Sequence, residues 1–251
     1  MSFDARIQNA SEQNNSRTVL ALDLENPDPG RLAAKSEEVL RKASPYICAV
    51  KINRQLVLAL GLRHGVDQLV GVAHDLSLPT IMDAKLNDVG HTNEFMMRAY
   101  METGFDAIIA SPIAGWENGL DSVFKLAKAN GKAVILLVYM SNPGAVEFYS
   151  LMIAEGGGGM KPMYELLAEK AVEWKAHGTI VGATKPQLIE RVRKLVGPNL
   201  RIYSPGVGAQ GGDARIAFDA GADYVIVGRS IYNSADPART AKEYRDASKI
   251  D

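Results

Sequence analysis

The sequence predicts an α/β fold, a (β/α)8 TIM barrel built as a single domain over residues 1–251. Short β-branched or apolar runs alternate with longer amphipathic stretches from end to end. Strands alternating with helices imply right-handed βαβ units on a parallel sheet. Eight such units fit within 251 residues, the usual scale of this barrel. A doubly wound open sheet seldom needs eight consecutive units, and no linker, charge block or shift in composition divides the chain.

Residues 1–16 are expected to form a helical or capping extension before the first strand. Strands are expected at 17–24 (RTVLALDL), 46–52 (YICAVKI), 79–85 (PTIMDAK), 105–111 (FDAIIAS), 132–140 (KAVILLVYM), 178–183 (GTIVGA), 200–205 (LRIYSP) and 223–228 (DYVIVG). Between them, 29–43 is amphipathic with Pro29 at its opening, where the missing N–H costs nothing. Similar helical patterns cover 93–103, 120–130, 162–176, 186–196 and 213–221. The connection after the fifth strand is unusually long and contains GGGG at 156–159, expected as a solvated linker.

Composition narrows the function. A formal net charge of -1 argues against a nucleic-acid surface, so any bound anion needs a local site. The single cysteine, Cys48, lies in the apolar YICAV and reads as a small buried hydrophobe, which suits a reducing compartment. The N-terminal MSFDARIQNASEQNN lacks the apolar core of a signal peptide, and no run reaches membrane-spanning length. A cytoplasmic location with no membrane partner is expected.

In such barrels the active site lies at the C-terminal ends of the strands. Strand one ends in Asp23, strand two carries Lys51, and strand three ends in Asp83 and Lys85, with Asp88 following. Alternation along a strand points Asp83 and Lys85 the same way, into the barrel, with Ala84 toward the helices. Any one of these charges has an ordinary explanation, such as a first-turn acid at Asp88 or a rim ion pair at Asp83 and Lys85. Lys51, Asp83, Lys85 and Asp88 converging on one rim point to chemistry, because interleaved lysines and carboxylates keep one another charged. His64, His74, His91 and His177 are scattered, so no metal-ligand spacing accompanies the row.

SPGVGAQGGD lies between strand seven and a helix, and GRSIY follows strand eight. Barrels often build a phosphate site at these two loops from backbone N–H groups. Arg229 adds a forked positive charge and Gln210 a neutral donor.

Taken with these residues, the chain resembles the orotidine 5′-phosphate decarboxylase family, particularly its shorter microbial forms. The motifs are D-x-K-x-x-D with a threonine four residues on (Asp83, Lys85, Asp88, Thr92), MSNPGA, SPGVGAQGGD and VGRSIY. The resemblance implies decarboxylation of orotidine 5′-monophosphate to UMP without metal or organic cofactor. It implies that Asp23 and Lys51 hold the ribose, and that Lys51, Asp83, Lys85 and Asp88 form a charged array with Lys85 as proton donor to C6. Ser141 would meet the pyrimidine edge, and Pro205 would line the pocket. Gln210, Gly228 and Arg229 would take the phosphate. A homodimer is implied, with Asp88 and Thr92 reaching into the neighbouring subunit's site and Val89 forming an apolar wall.

The chain departs from the family pattern in two places. Val89-Gly90-His91 stands where Ile-Pro is usual, which loosens the turn carrying Asp88, and Asn53 stands where glycine is frequent. Two rivals remain at this point. Mg2+-dependent sugar-phosphate decarboxylases and aldolases share D-x-K-x-x-D but carry glutamate in place of Lys51. A catalytically silent phosphate-binding barrel is the other.

Overall fold

The computed structural model describes residues 1–154 and 156–248. The chain opens with helix α1 (Phe3–Asn14) and runs into β1 (Thr18–Leu22), α2 (Pro29–Ala43), β2 (Ala49–Asn53), α3 (Arg54–Leu60) and α4 (Asp67–Asp75). Next come β3 (Thr80–Leu86), α5 (Gly90–Thr103), β4 (Ala107–Ala110), α6 (Asp121–Ala129), β5 (Ala133–Tyr139) and the short α7 (Val146–Tyr149). A hairpin of β6 (Met152–Ala154) and β7 (Met160–Pro162) precedes α8 (Met163–Glu173), β8 (Gly178–Val181), α9 (Pro186–Val196) and β9 (Arg201–Pro205). The last elements are α10 (Ala214–Asp219), β10 (Tyr224–Val227), α11 (Arg229–Tyr232) and α12 (Pro237–Ala247).

Eight of these strands pair in parallel and close into a barrel in the order β1-β10-β9-β8-β5-β4-β3-β2. The expected fold is therefore present. Each expected strand is trimmed at one or both ends, where the runs extend past the ladder hydrogen bonds, while β2 and β3 run one residue further than expected, to Asn53 and Leu86. Helix starts follow local chemistry. Asp28 caps α2 by accepting from the Arg31 N–H, ahead of Pro29, and Asp213 does the same for α10 with the Ile216 N–H. Helix α1 buries Phe3, Ile7 and Ala10, and its Arg6 reaches the buried Asp106 at the N-terminal end of β4.

The stretch 54–75 carries two helices that its sequence pattern did not announce, and α12 is a third. The long connection after β5 is not a bare linker: β6 and β7 pair antiparallel, Met152 with Pro162 and Ala154 with Met160. Gly156–Gly159 lie in the tip of this hairpin, and Glu155 of the same connection lies outside the described residues. Cys48 is fully buried, and burial pushes its thiol pKa up. No single helix among the described residues is long and apolar enough to cross a membrane.

Candidate active site

Parallel pairing sets Lys51 of β2 beside Ala21 of β1 and Ile81 of β3, and Asn53 beside Asp83. These paired positions face the barrel axis. At their C-terminal end the barrel opens into a cavity of about 400 Å³, a volume suited to a small ligand. Its floor is apolar, formed by Ile109, Leu137, Ile180 and Ile226, and its rim carries the charged groups.

Lys51 and Asp83 are nearly inaccessible, at 4% and 6% exposure. Lys51 Nζ donates to Asp83 Oδ2 at 2.9 Å and lies 3.5 Å from Asp23 Oδ1. Lys85 Nζ donates to Asp83 Oδ1 at 2.5 Å. The row within one chain thus reads Asp23, Lys51, Asp83, Lys85, alternating in sign. Burial alone would push the Lys51 ammonium down, but Asp83 and Asp23 outweigh it and hold its pKa above the usual lysine value. Burial likewise opposes ionisation of Asp83, yet the flanking Lys51 and Lys85 draw its pKa down to about 2. Asp23 Oδ1 is buried and makes no hydrogen bond within the described residues; its 3.5 Å ion contact with Lys51 is what holds it in the row.

The alternation rule places Asp83 and Lys85 on one face, and both line the cavity. The geometry at Lys85 is not that of a regular strand, however. Its φ is +47°, in the left-handed region, and the ladder with β4 shifts register between Met82 and Leu86. A bulge of this kind re-aims a side chain at a local conformational cost.

The expected phosphate groups gather on the opposite rim. Pro205, Gln210, Gly228 and Arg229 line the cavity, and Arg229 is exposed. The loop after β9 is closed on itself: the Gly208 N–H donates to the Gly212 carbonyl at 2.8 Å, and the Gly212 N–H to the Gly206 carbonyl at 3.0 Å. Ser230, which sequence reasoning missed, accepts the Ala209 N–H at 3.0 Å and ties this loop to the segment carrying Arg229. Ser141 reaches the cavity beside Gly206, whose φ is +95° and where a Cβ would stand 2.9 Å from Ser141 Cβ, so no side chain fits there.

Asp88, Val89 and Thr92 do not line this cavity. Asp88 and Val89 are exposed at the head of α5, and Thr92 is half-buried beside His91. Sequence reasoning also passed over Glu25, Gln55 and Tyr232, which line the cavity. The unexplained Asn53 has a local role: its Oδ1 accepts the Arg54 N–H at 2.7 Å at the start of α3.

The chain matches known proteins along most of its length. Residues 16–244 match the model of the orotidine 5′-phosphate decarboxylase / HUMPS family. The orotidine 5′-phosphate decarboxylase of Methanococcoides burtonii is 37% identical over 230 residues, covering 92% of this chain and 96% of that protein. That of Pyrococcus abyssi is 34% identical over 228 residues, covering 91% and 97%. Among solved structures, the Methanocaldococcus jannaschii orotidine 5′-monophosphate decarboxylase complexed with inhibitor BMP superposes with a TM-score of 0.79 at 28% identity, covering 94% of this chain and 99% of that one. The Pyrococcus horikoshii enzyme superposes with a TM-score of 0.75 at 32% identity, covering 92% and 98%. Matched along nearly its whole length, the chain belongs to the orotidine 5′-phosphate decarboxylase family.

Proposed function

We propose that the protein decarboxylates orotidine 5′-monophosphate to UMP and CO2 in pyrimidine synthesis, with the charged row as its catalytic apparatus. One observation carries this reading beyond family membership: Lys51, Asp83 and Lys85 stand in one hydrogen-bonded chain at the mouth of a cavity whose far rim holds Arg229 and Gln210. One end of the cavity suits a carboxylate-bearing ring and the other a phosphate.

The chemistry needs little else. The C6–carboxylate bond breaks, CO2 departs, and the electron pair stays on C6 as a vinyl carbanion. The Lys85 ammonium stabilises that charge and gives C6 its proton, regaining one from solvent. Preorganised charge in a water-poor site is the strongest single source of such stabilisation. Asp83, fixed between two lysines, presses its own charge toward the departing carboxylate. The Asp23 carboxylate, which lines the cavity, suits a ribose hydroxyl, and Ser141 the pyrimidine edge. Pro205 lines the pocket wall. Phosphate held by Gln210, Gly228 and Arg229 supplies binding energy far from C6, which closure of the loop after β9 converts into rate.

Asp88, Val89 and Thr92 point to the assembly. They lie outside their own cavity, and Val89 exposes 49% of an apolar side chain. We assign them to the partner's site in a homodimer, where Asp88 extends the alternating row. We also place the enzyme in the cytoplasm, consistent with its single buried, unpaired thiol.

The deciding experiment follows loss of orotate absorbance on adding orotidine 5′-monophosphate to purified protein in EDTA, beside Lys85→Ala. Turnover that survives EDTA and disappears in the variant is expected. Turnover only with Mg2+ and a sugar phosphate would move the chain to the metal-dependent branch, which the lysine at position 51 disfavours. Inactivity on both would leave a binding barrel.

A further inference from the structure

The turn between β3 and α5 is gripped by one buried amide. Asn93, on the first turn of α5, is fully buried. Its Oδ1 accepts the Asp88 N–H at 3.1 Å, and its Nδ2 donates to the Asp88 carbonyl at 2.5 Å. The second Nδ2 hydrogen goes to the Gly119 carbonyl at 3.0 Å, in the connection between β4 and α6. Both donor hydrogens are therefore committed, and the amide holds Asp88 by the peptide planes on each side of it. Asp88 Oδ1 in turn accepts the Val89 N–H at 2.7 Å.

Gly90 completes this seat. A Cβ there would stand 2.9 Å from Asn118 Oδ1 and 3.0 Å from the Asn118 backbone, so the turn lies directly on the β4–α6 connection. The sequence departure at Gly90, expected to loosen the turn, instead lets it approach a rigid neighbour closely enough for the Asn93–Gly119 bond.

We propose that Asn93 is the positioning residue for Asp88, fixing from within its own subunit the direction in which the Asp88 carboxylate leaves the turn. The proposal rests on the reading above that Asp88 acts in the partner's site. An amide bonded to both the N–H and the carbonyl of one residue leaves that residue little freedom. Its loss frees Asp88 to wander by about an ångström, a displacement that costs on the order of 10²-fold in rate.

A double-mutant cycle in kcat tests this, using wild type, Asn93→Ala, Asp88→Asn and the double variant at saturating orotidine 5′-monophosphate. Asn93→Ala should lower kcat by on the order of 10²-fold in the wild-type background and by less than about twofold where Asp88 is already Asn, the signature of two residues acting as one unit. Equal losses in the two backgrounds, or a loss confined to KM, would overturn the proposal. If Asn93→Ala does not fold, Asn93→Asp carries the same comparison, since it keeps the side-chain shape and an acceptor but donates neither bond. Wild-type protein that fails to decarboxylate would remove the functional reading and this inference together, whereas additive losses remove the inference alone.

Discussion

Lys51 and Asp83 meet across the β2–β3 ladder with Nζ 2.9 Å from Oδ2, and both side chains are less than a tenth exposed. Two charges taken this far out of water are tolerable only as a pair, since either one alone would be driven to its neutral form. Asp23 and Lys85 flank the pair and extend the alternation, so every member of the row is fixed by the charge beside it. Lys51 and Asp83 therefore stay ionised at neutral pH before any substrate arrives, which is the condition for electrostatic preorganisation.

The Asp83 carboxyl titrates at about 2 against an ordinary value of 3.8. A depressed carboxylate pKa contributes stability that is whole above the unfolded value and lost as pH falls through the folded one. The contribution, roughly 2 kcal/mol, should be constant from neutral pH to about 5, fall as pH drops through about 2, and be gone near about 1. Urea unfolding of wild type and Asp83→Asn across that acid range measures it. The gap between the two curves should change by this amount as Asp83 protonates, and a gap indifferent to pH would contradict the assignment.

Lys85 sits in a left-handed backbone conformation at the bulge of β3. With φ at +47°, the position favours glycine over any residue bearing a Cβ. Lys85→Gly and Lys85→Ala both lose the ammonium, and each should lower turnover by at least about 10³-fold. In urea, Lys85→Gly should be the more stable of the two by about 1 kcal/mol. Equal midpoints would mean that the bulge is not strained.

The barrel was legible because each strand is a run of apolar and β-branched residues and each helix repeats near 3.6 residues. The charged row was legible for a related reason: Asp23, Lys51, Asp83 and Lys85 interrupt or terminate runs that are otherwise buried. What escaped has the opposite character. Lys85 and Asp88 look alike in sequence, yet a three-residue separation across a bulge and a turn sends one into the cavity and the other to the surface. Asn93 opens the helical pattern at 93–103 with nothing in the sequence to single it out, and only the fold shows that it is buried and bonded to Gly119. The strands Met152–Ala154 and Met160–Pro162 are too short to show alternation, and backbone pairing defines them.

Arg229 lines the same cavity as the charged row, and the proposed phosphate role makes its substitution a test of whether distant binding energy reaches the chemistry. A charge-assisted hydrogen bond to phosphate is worth about 1.5–3 kcal/mol, or roughly 10- to 10²-fold. On the proposed mechanism, in which closure of the loop after β9 on the phosphate is part of the climb to the transition state, Arg229→Ala should lower kcat as well as raise KM. Steady-state kinetics at saturating substrate decide it: an unchanged kcat would confine Arg229 to ground-state binding.

Shared sites make a sharper demand. If the site of one subunit uses its own Lys85 and the partner's Asp88, then Lys85→Ala and Asp88→Asn homodimers are each defective for different reasons. Unfolding and refolding an equal mixture should produce hybrids in which one site has lost both groups and the other has recovered both. With random pairing, half of the dimers are hybrids with one good site of two, giving about a quarter of wild-type activity. Mixing without exchange of subunits should restore none. If Asp88 instead served its own subunit, the hybrids would be as inactive as the parents, and the surface position of Asp88 and Thr92 at the head of α5 would need another explanation.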